Sequence, residues 1–288
     1  MSVDMLQEKI RKTKNPSVVV FDLLLDHIPP QLLEGTGPAK AYEKLSMDIL
    51  SALKGYVGAV RFCFVSFALL GTEGLQVLSH LLVEAKRQGY YVLLDAPETL
   101  SVPAAANAAS ILGAKDCIYP CDGLIIPTYL GSDILKAYLP LCSQGKSLFP
   151  VVRTANRSAS EVQDLLTGGR LVHTALADIV NRHGESLVGK CGYSQVGAVA
   201  SASAADSLRA LRGKYTKLFL LLDGYDYPNA NAKNCSYAFD KLGHGAAACA
   251  GASIVAAWKE SDSSDYLAAA LEAAGRMKKN LTRYITVL

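Results

Sequence analysis

The sequence predicts an α/β fold, a (β/α)8 TIM barrel with an extra C-terminal helix. Three observations predict it. Eight short apolar runs alternate with longer amphipathic or alanine-rich stretches, the pattern of parallel strands joined by crossover helices. The first run ends in Phe21-Asp22-Leu23-Leu24, without the glycine-rich turn that usually marks the first strand of a doubly wound open sheet. The length, 288 residues, suits one barrel domain over residues 1–288.

The strand-like runs are Ser17–Leu25, Gly58–Val65, Tyr90–Asp95, Gly123–Ile126, Ser147–Arg153, Val196–Ala200, Lys217–Leu222 and Ala246–Ala250. Seven are rich in Val, Ile, Leu or aromatic residues, as strands buried on both faces should be. The eighth is alanine-rich and is placed by its position. Helix-like segments fill the intervals: Ala39–Lys54, Leu75–Gln88, Ala104–Leu112, Ile134–Ser143, Ser160–Leu166, Leu171–His183, Ala204–Leu211 and Asn231–Leu242. The C-terminal segment Ser263–Lys279 carries Tyr266, Leu267, Ala270, Leu271, Ala274 and Met277, an i, i+3, i+4 stripe.

Composition narrows the class. Half of the residues are hydrophobic and 19% are charged, which supports a large core and excludes disorder as the main character. The net charge of +3 comes from 29 basic and 26 acidic residues, too balanced for a nucleic-acid partner. No apolar stretch approaches the roughly 18–20 residues of a membrane helix, and Asp22 interrupts the strongest one. Met1–Asn15 has no apolar core of a signal peptide. Seven cysteines, an odd number, read as reduced thiols of a cytoplasmic protein.

Ligand chemistry in a barrel sits at the C-terminal ends of the strands, which directs attention to Asp22, Arg61, Asp95, Pro127, Thr154, Ser201, Gly224 and the residues that follow them. Asp22 has two readings, a brace for a neighbouring loop or a ligand for a hydroxyl. Asp95 closes the run Tyr-Tyr-Val-Leu-Leu. An acid there is costly unless paired, and Arg61 on the adjoining strand is the expected partner. That pair reads first as a structural ion pair and second as a catalytic one. Cys117 and Cys121 stand four apart, with no second pair and no nearby His, so no metal site is expected. The five histidines are scattered. His80 and His173 fall in helical segments and are expected to face outward or pack at edges.

Several blocks together resemble orotidine 5'-monophosphate decarboxylases of the longer bacterial group. They are Tyr129-Leu130-Gly131-Ser132-Asp133, Val152-Arg153-Thr154-Ala155-Asn156, Leu187–Ala198 and Gly245–Ile254. The resemblance implies a (β/α)8 barrel, usually a homodimer with sites at the subunit interface, and no cofactor. It also implies a site after the third strand reading Asp, any residue, Lys, two residues, Asp. Here that stretch is Asp95-Ala96-Pro97-Glu98-Thr99-Leu100. Only the first Asp is retained, and Pro97 stands where the proton-donating Lys would be. Arg61 replaces a second Lys, and arginine is a poor proton donor near neutral pH. In the pyrimidine-contacting run Thr154-Ala155-Asn156, Ala155 replaces Ser. The phosphate-binding turn after the seventh strand is replaced by Asp223-Gly224-Tyr225-Asp226-Tyr227, and Gly251-Ala252 stand where a Ser-Arg pair would grip the phosphate.

The sequence therefore predicts a catalytically degenerate barrel linked to pyrimidine biosynthesis. It would act through protein partners, as a homodimer or a hetero-oligomer with a related enzyme, or on a non-phosphorylated ligand. Asp95 and Arg61 would be catalytic remnants. Asp22, Thr154, Asn156, Tyr225 and Asp226 would be ligand-binding positions, the two tyrosines around Asp226 stacking on a ligand, filling the mouth or docking a partner. The alternatives are altered acid–base or lyase chemistry at Asp95 and Arg61 and, less favoured, an active decarboxylase.

Overall fold

The computed structural model describes residues 1–95, 101–261 and 265–287. Each of the eight apolar runs contains a strand: β1 Ser17–Phe21, β2 Ala59–Cys63, β3 Tyr91–Asp95, β4 Gly123–Ile126, β5 Ser147–Pro150, β6 Ala198–Ser201, β7 Leu220–Asp223 and β8 Ala246–Ala250. All hydrogen-bonded neighbours are parallel, in the order β5-β4-β3-β2-β1-β8-β7-β6. The outer strands of that order meet as well. The Leu148 N–H donates to Gln195 O at 2.8 Å, Gly197 N–H to Leu148 O at 2.8 Å and Val152 N–H to Val199 O at 3.0 Å. The sheet thus curls into a nearly closed barrel, which leaves no long unpaired edge.

Alternation along the strands divides the apolar residues into two cores. Inward positions such as Val18, Leu93, Ile125, Phe149, Val199, Leu221 and Ala247 fill the barrel. Outward positions pack under the helices, where Phe21 and Phe62 stack with ring centroids 4.8 Å apart. Gly197 is required by close approach, because a Cβ there would lie 2.4 Å from the Phe219 carbonyl and 2.7 Å from the Phe149 ring. The outer layer contains α2 Pro38–Ala52, α3 Gly71–Arg87, α4 Val102–Gly113, α5 Ser132–Tyr138, α6 Val172–Gly184, α7 Ala205–Lys214 and the closing helix α8 Tyr266–Thr282.

One element was missed by the sequence reading. Helix α1, Ser2–Thr13, closes the bottom of the barrel. Its Val3, Leu6 and Ile10 join the inner core. The Ser2 hydroxyl donates to Asp122 O at 2.8 Å, Val3 N–H donates to Gln195 Oε1 at 3.1 Å, and Gln7 Oε1 accepts from Gly245 N–H at 3.0 Å. The high density of Lys, Arg and Glu in this segment hid its narrow apolar stripe.

Several predicted boundaries give way to local chemistry. The predicted helix Ile134–Ser143 divides at Pro140, which starts the separate turn Pro140–Ser143. Ser160–Leu166 is helical only to Gln163, and Leu166–Thr167 pairs with Arg170–Leu171 as a hairpin. Asn231–Leu242 is helical only over Ala232–Ser236, and beyond it the Asp240 carboxylate accepts from the N–H groups of Leu242 and His244, each at 2.8 Å, to hold a turn. Strands predicted to reach Leu25, Val65 and Arg153 end at Phe21, Cys63 and Pro150. In the C-terminal helix Ala269 and Ala273 face the core with Ala270 and Ala274, whereas Leu271 is 40% exposed. The predicted start at Ser263 lies outside the described residues, and Asp265 caps the helix through Leu267 and Ala268 N–H.

Candidate functional site at the barrel mouth

The inward face of each strand carries its alternation upward to the mouth. In β2 the inward series is Ala59, Arg61, Cys63; in β3 it is Tyr91, Leu93, Asp95. In β7 Leu221 is followed two residues later by Asp223, and Val20 of β1 is followed by Asp22. A period of two thus delivers four polar residues, Asp22, Arg61, Asp95 and Asp223, to one face at the C-terminal ends of the strands.

Arg61 organises this layer. Its side chain is 10% exposed, so its charge needs partners. Nη1 donates to Asp223 Oδ1 at 2.7 Å and Nε to Asp95 Oδ2 at 3.2 Å, and Nη2 also contacts Asp95 Oδ2. Burial works against the cation, but the carboxylates of Asp95 and then Asp223 outweigh it and hold the Arg61 pKa well above its ordinary value. The Cys63 thiol donates to Asp95 Oδ2 at 3.6 Å. Burial raises the Cys63 pKa well above normal and pushes Cys249 up to about 12, so both stay protonated and neither is an activated nucleophile.

The sequence-predicted residues separate around this centre. Asp22 is exposed and accepts from the Ser66 hydroxyl on the turn after β2. It borders a cavity of about 680 Å³ with Arg61 and Asp95, and a second of about 280 Å³ with Arg61, Asp223, Asp226 and Tyr227. Thr154 bonds Asn156 at 2.6 Å and Gln163 through side chain and backbone. Thr154 and Asp95 border a cavity of about 430 Å³, whereas Asn156 borders another of about 760 Å³ with Arg153 and Arg157. Among the described residues lining these four cavities, none is a lysine.

The loop after β7 splits its two tyrosines. Tyr225 is half-buried against the outer core, so it does not form an aromatic pair around Asp226 in the mouth. Tyr227 borders the mouth on two sides. Between them Asp226 turns to the end of β8, where Oδ2 accepts from Gly251 N–H at 2.6 Å and Oδ1 accepts from the Ser253 hydroxyl. Gly224 has φ +75°, and a Cβ there would sit 2.3 Å from Ala155 Cβ. Ala155 therefore lies directly against the β7 loop. The predicted positions Pro97, Glu98 and Leu100 lie outside the described residues.

Two residues of the site escaped the sequence reading. Asp223 was recognised as an acid but not as the second partner of Arg61, which the parallel register of distant strands brings about. His27 borders the mouth because the turn Leu25–His27 folds back over β1. Burial lowers its pKa, and its Nδ1 accepts from Leu24 N–H at 3.2 Å. Contrary to expectation, His173 is buried, because its Nδ1 lies 3.0 Å from Gln163 O and its Nε2 3.2 Å from Ser207 Oγ, which ties α6 to α7. Among the described residues, no cluster of three or more His, Cys, Asp or Glu has metal-site geometry.

The geometry is that of a barrel with a polar centre at the C-terminal ends of its strands, and known proteins share the fold. The fold is that of the orotidine 5'-phosphate decarboxylases. A chain from Toxoplasma gondii assigned as an orotidine-monophosphate-decarboxylase superposes with a TM-score of 0.83 at 19% identity, over 98% of this chain and 96% of the other. The Leishmania donovani OMP decarboxylase superposes with a TM-score of 0.76 at 20% identity, over 98% of each chain. In sequence, the chain is similar to orotidine 5'-phosphate decarboxylase of Rhodopirellula baltica, 27% identical over 268 residues and 89% of each chain. It is also similar to that of Caldicellulosiruptor saccharolyticus, 24% identical over 300 residues and 98% of each chain. No protein-family model matches. In the present chain, the carboxylates of Asp22, Asp95, Asp223 and Asp226 line the two cavities that share Arg61.

Proposed function

We propose that the chain is a catalytically degenerate orotidine 5'-phosphate decarboxylase-like barrel. It acts through protein partners or a non-phosphorylated ligand, in connection with pyrimidine biosynthesis. The observation that carries the reading is the state of Arg61. Its guanidinium is engaged by Asp95 and Asp223, at the position where the resemblance implies a lysine. A proton donor to a carbanion must release a proton at the working pH, and the raised pKa of Arg61 opposes this. Pro97, at the other lysine position, has no proton to give.

The partner half of the reading is supported by an apolar rim. Leu24, Leu25, Val65 and Leu69 surround the cavity of about 680 Å³ beside Asp22, with exposures from 53% to 81%. Contiguous apolar surface of this kind suits a protein interface, in a homodimer or with a related enzyme. All seven cysteines are free, which suits a reducing compartment such as the cytoplasm.

The alternative, new acid–base or lyase chemistry at Asp95 and Arg61, has narrower support. Arg61 stays protonated in that pair, so its guanidinium offers no proton for general acid–base work. The deciding experiment is decarboxylation of orotidine 5'-monophosphate by the purified chain. No turnover above the uncatalysed background is expected. A kcat in the ordinary enzyme range of about 1–1000 s⁻¹ overturns the reading.

A further inference from the structure

Asp226 behaves as an anion that the chain has bound to itself. Its Oδ2 accepts from the Gly251 N–H at 2.6 Å, and its Oδ1 accepts from the Ser253 hydroxyl. Both donors belong to the turn that leaves β8, whereas Asp226 belongs to the loop that leaves β7. The carboxylate thus bridges the loops after the seventh and eighth strands, the region where barrels commonly receive the phosphate of a ligand. Its two oxygens use two donors that the oxygens of a bound anion would otherwise engage.

The surroundings reinforce this occupancy. The cavity of about 280 Å³ beside Asp226 is also lined by Asp22 and Asp223. Its guanidinium, Arg61, is held by Asp95 and Asp223. A phosphate dianion entering here would meet three carboxylates, with two of its donors already taken and the nearby cation neutralised. Like charges brought together in this way suppress binding strongly. An uncharged ligand meets no such obstacle and finds the Tyr227 ring on the same wall.

We propose that Asp226 is a specificity-determining residue, an internal anion that restricts the mouth to ligands carrying no phosphate. The proposal rests on the reading of the chain as a barrel without decarboxylase activity, and it names the ligand class of that same mouth. Removal of the carboxylate should free Gly251 N–H and Ser253 Oγ and convert the cavity into an anion site.

The test is calorimetric titration of the full chain with inorganic phosphate at constant ionic strength, with chloride as the control anion. The wild-type chain is expected to show no saturable phosphate binding. Asp226→Ala should bind phosphate at least about tenfold more tightly, and Ser253→Ala placed on top should remove the gain. Asp226→Ser also removes the carboxylate, and its shorter side chain leaves both donors free, so it should gain affinity in the same direction if the alanine variant does not fold. The proposal is overturned if either folded variant binds phosphate no better than wild type. It is equally overturned if the gain survives loss of the Ser253 hydroxyl, or if wild type already binds phosphate saturably. Phosphate binding is read without turnover, so these outcomes are separate from orotidine 5'-monophosphate decarboxylation, which alone decides the earlier reading.

Discussion

At the scale of single residues, the mouth is governed by one buried cation and the acids that hold it. Arg61 is enclosed by the barrel wall and bonded to Asp95 and Asp223. A buried charge that keeps one partner is tolerated far better than one that has lost both. Asp95→Asn and Asp223→Asn should therefore each be mild, whereas the double substitution should cost about 3–5 kcal/mol of stability. Urea unfolding of the three variants checks this. Simple additivity, with a double-variant loss no larger than the sum of two small ones, would show that the guanidinium does not depend on the pair. The alternation of β2 and β3 made Arg61 and Asp95 legible as neighbours in the sequence. Asp223 was not, because its strand lies 162 residues away from Arg61 along the chain and only the closed order of strands places both at one centre.

At the scale of elements, the strands were more legible than the helices. A strand buried on both faces is a short run of branched and aromatic residues, and every such run contained one. Helix ends depend on side-chain bonds that periodicity does not report, as Asp265 shows in capping α8 through Leu267 and Ala268 N–H. Helix α1 is the informative omission. It is held under the barrel by Asp4, whose Oδ1 accepts from the Cys191 N–H at 2.8 Å. Burial pushes the Asp4 pKa up, but the bonds from Cys191 outweigh it and the net shift is downward. A folded pKa below the unfolded one makes the contribution fully present above the ordinary value of 3.8. It is lost as the pH falls through the lower folded value. Asp4→Asn should therefore cost about 1–3 kcal/mol at neutral pH, and its deficit should shrink in acid. Melting curves across that pH range check the sign. A deficit that grows toward acid contradicts the assignment.

At the scale of the whole molecule, the polar mouth and the apolar rim belong to the same face. Leu24, Leu25, Val65 and Leu69 project around the cavity that Asp22, Arg61 and Asp95 line. Association through this rim would cover the mouth. The expected outcome of sedimentation equilibrium is a species twice the 30.7 kDa of the chain, weakened by Leu69→Glu. A wild-type chain that stays monomeric throughout removes a homodimer from the reading. Among the described residues, no helix is long and apolar enough to cross a membrane, so the rim is not part of a helical span.

The sequence by itself determined the barrel. Eight buried strands at regular spacing declare themselves locally, through residue type and a period of two, and the helical stretches between them leave few parallel topologies. The residue types at the strand ends, Arg61, Asp95 and Asp223 among them, were equally visible. Tertiary structure alone decided how they combine. It placed Asp223 on Arg61, turned Tyr225 into the core and Tyr227 over the mouth, and seated Asp226 on Gly251 and Ser253. These are contacts between loops distant in the chain. Their geometry follows from closure of the barrel, which no local pattern encodes.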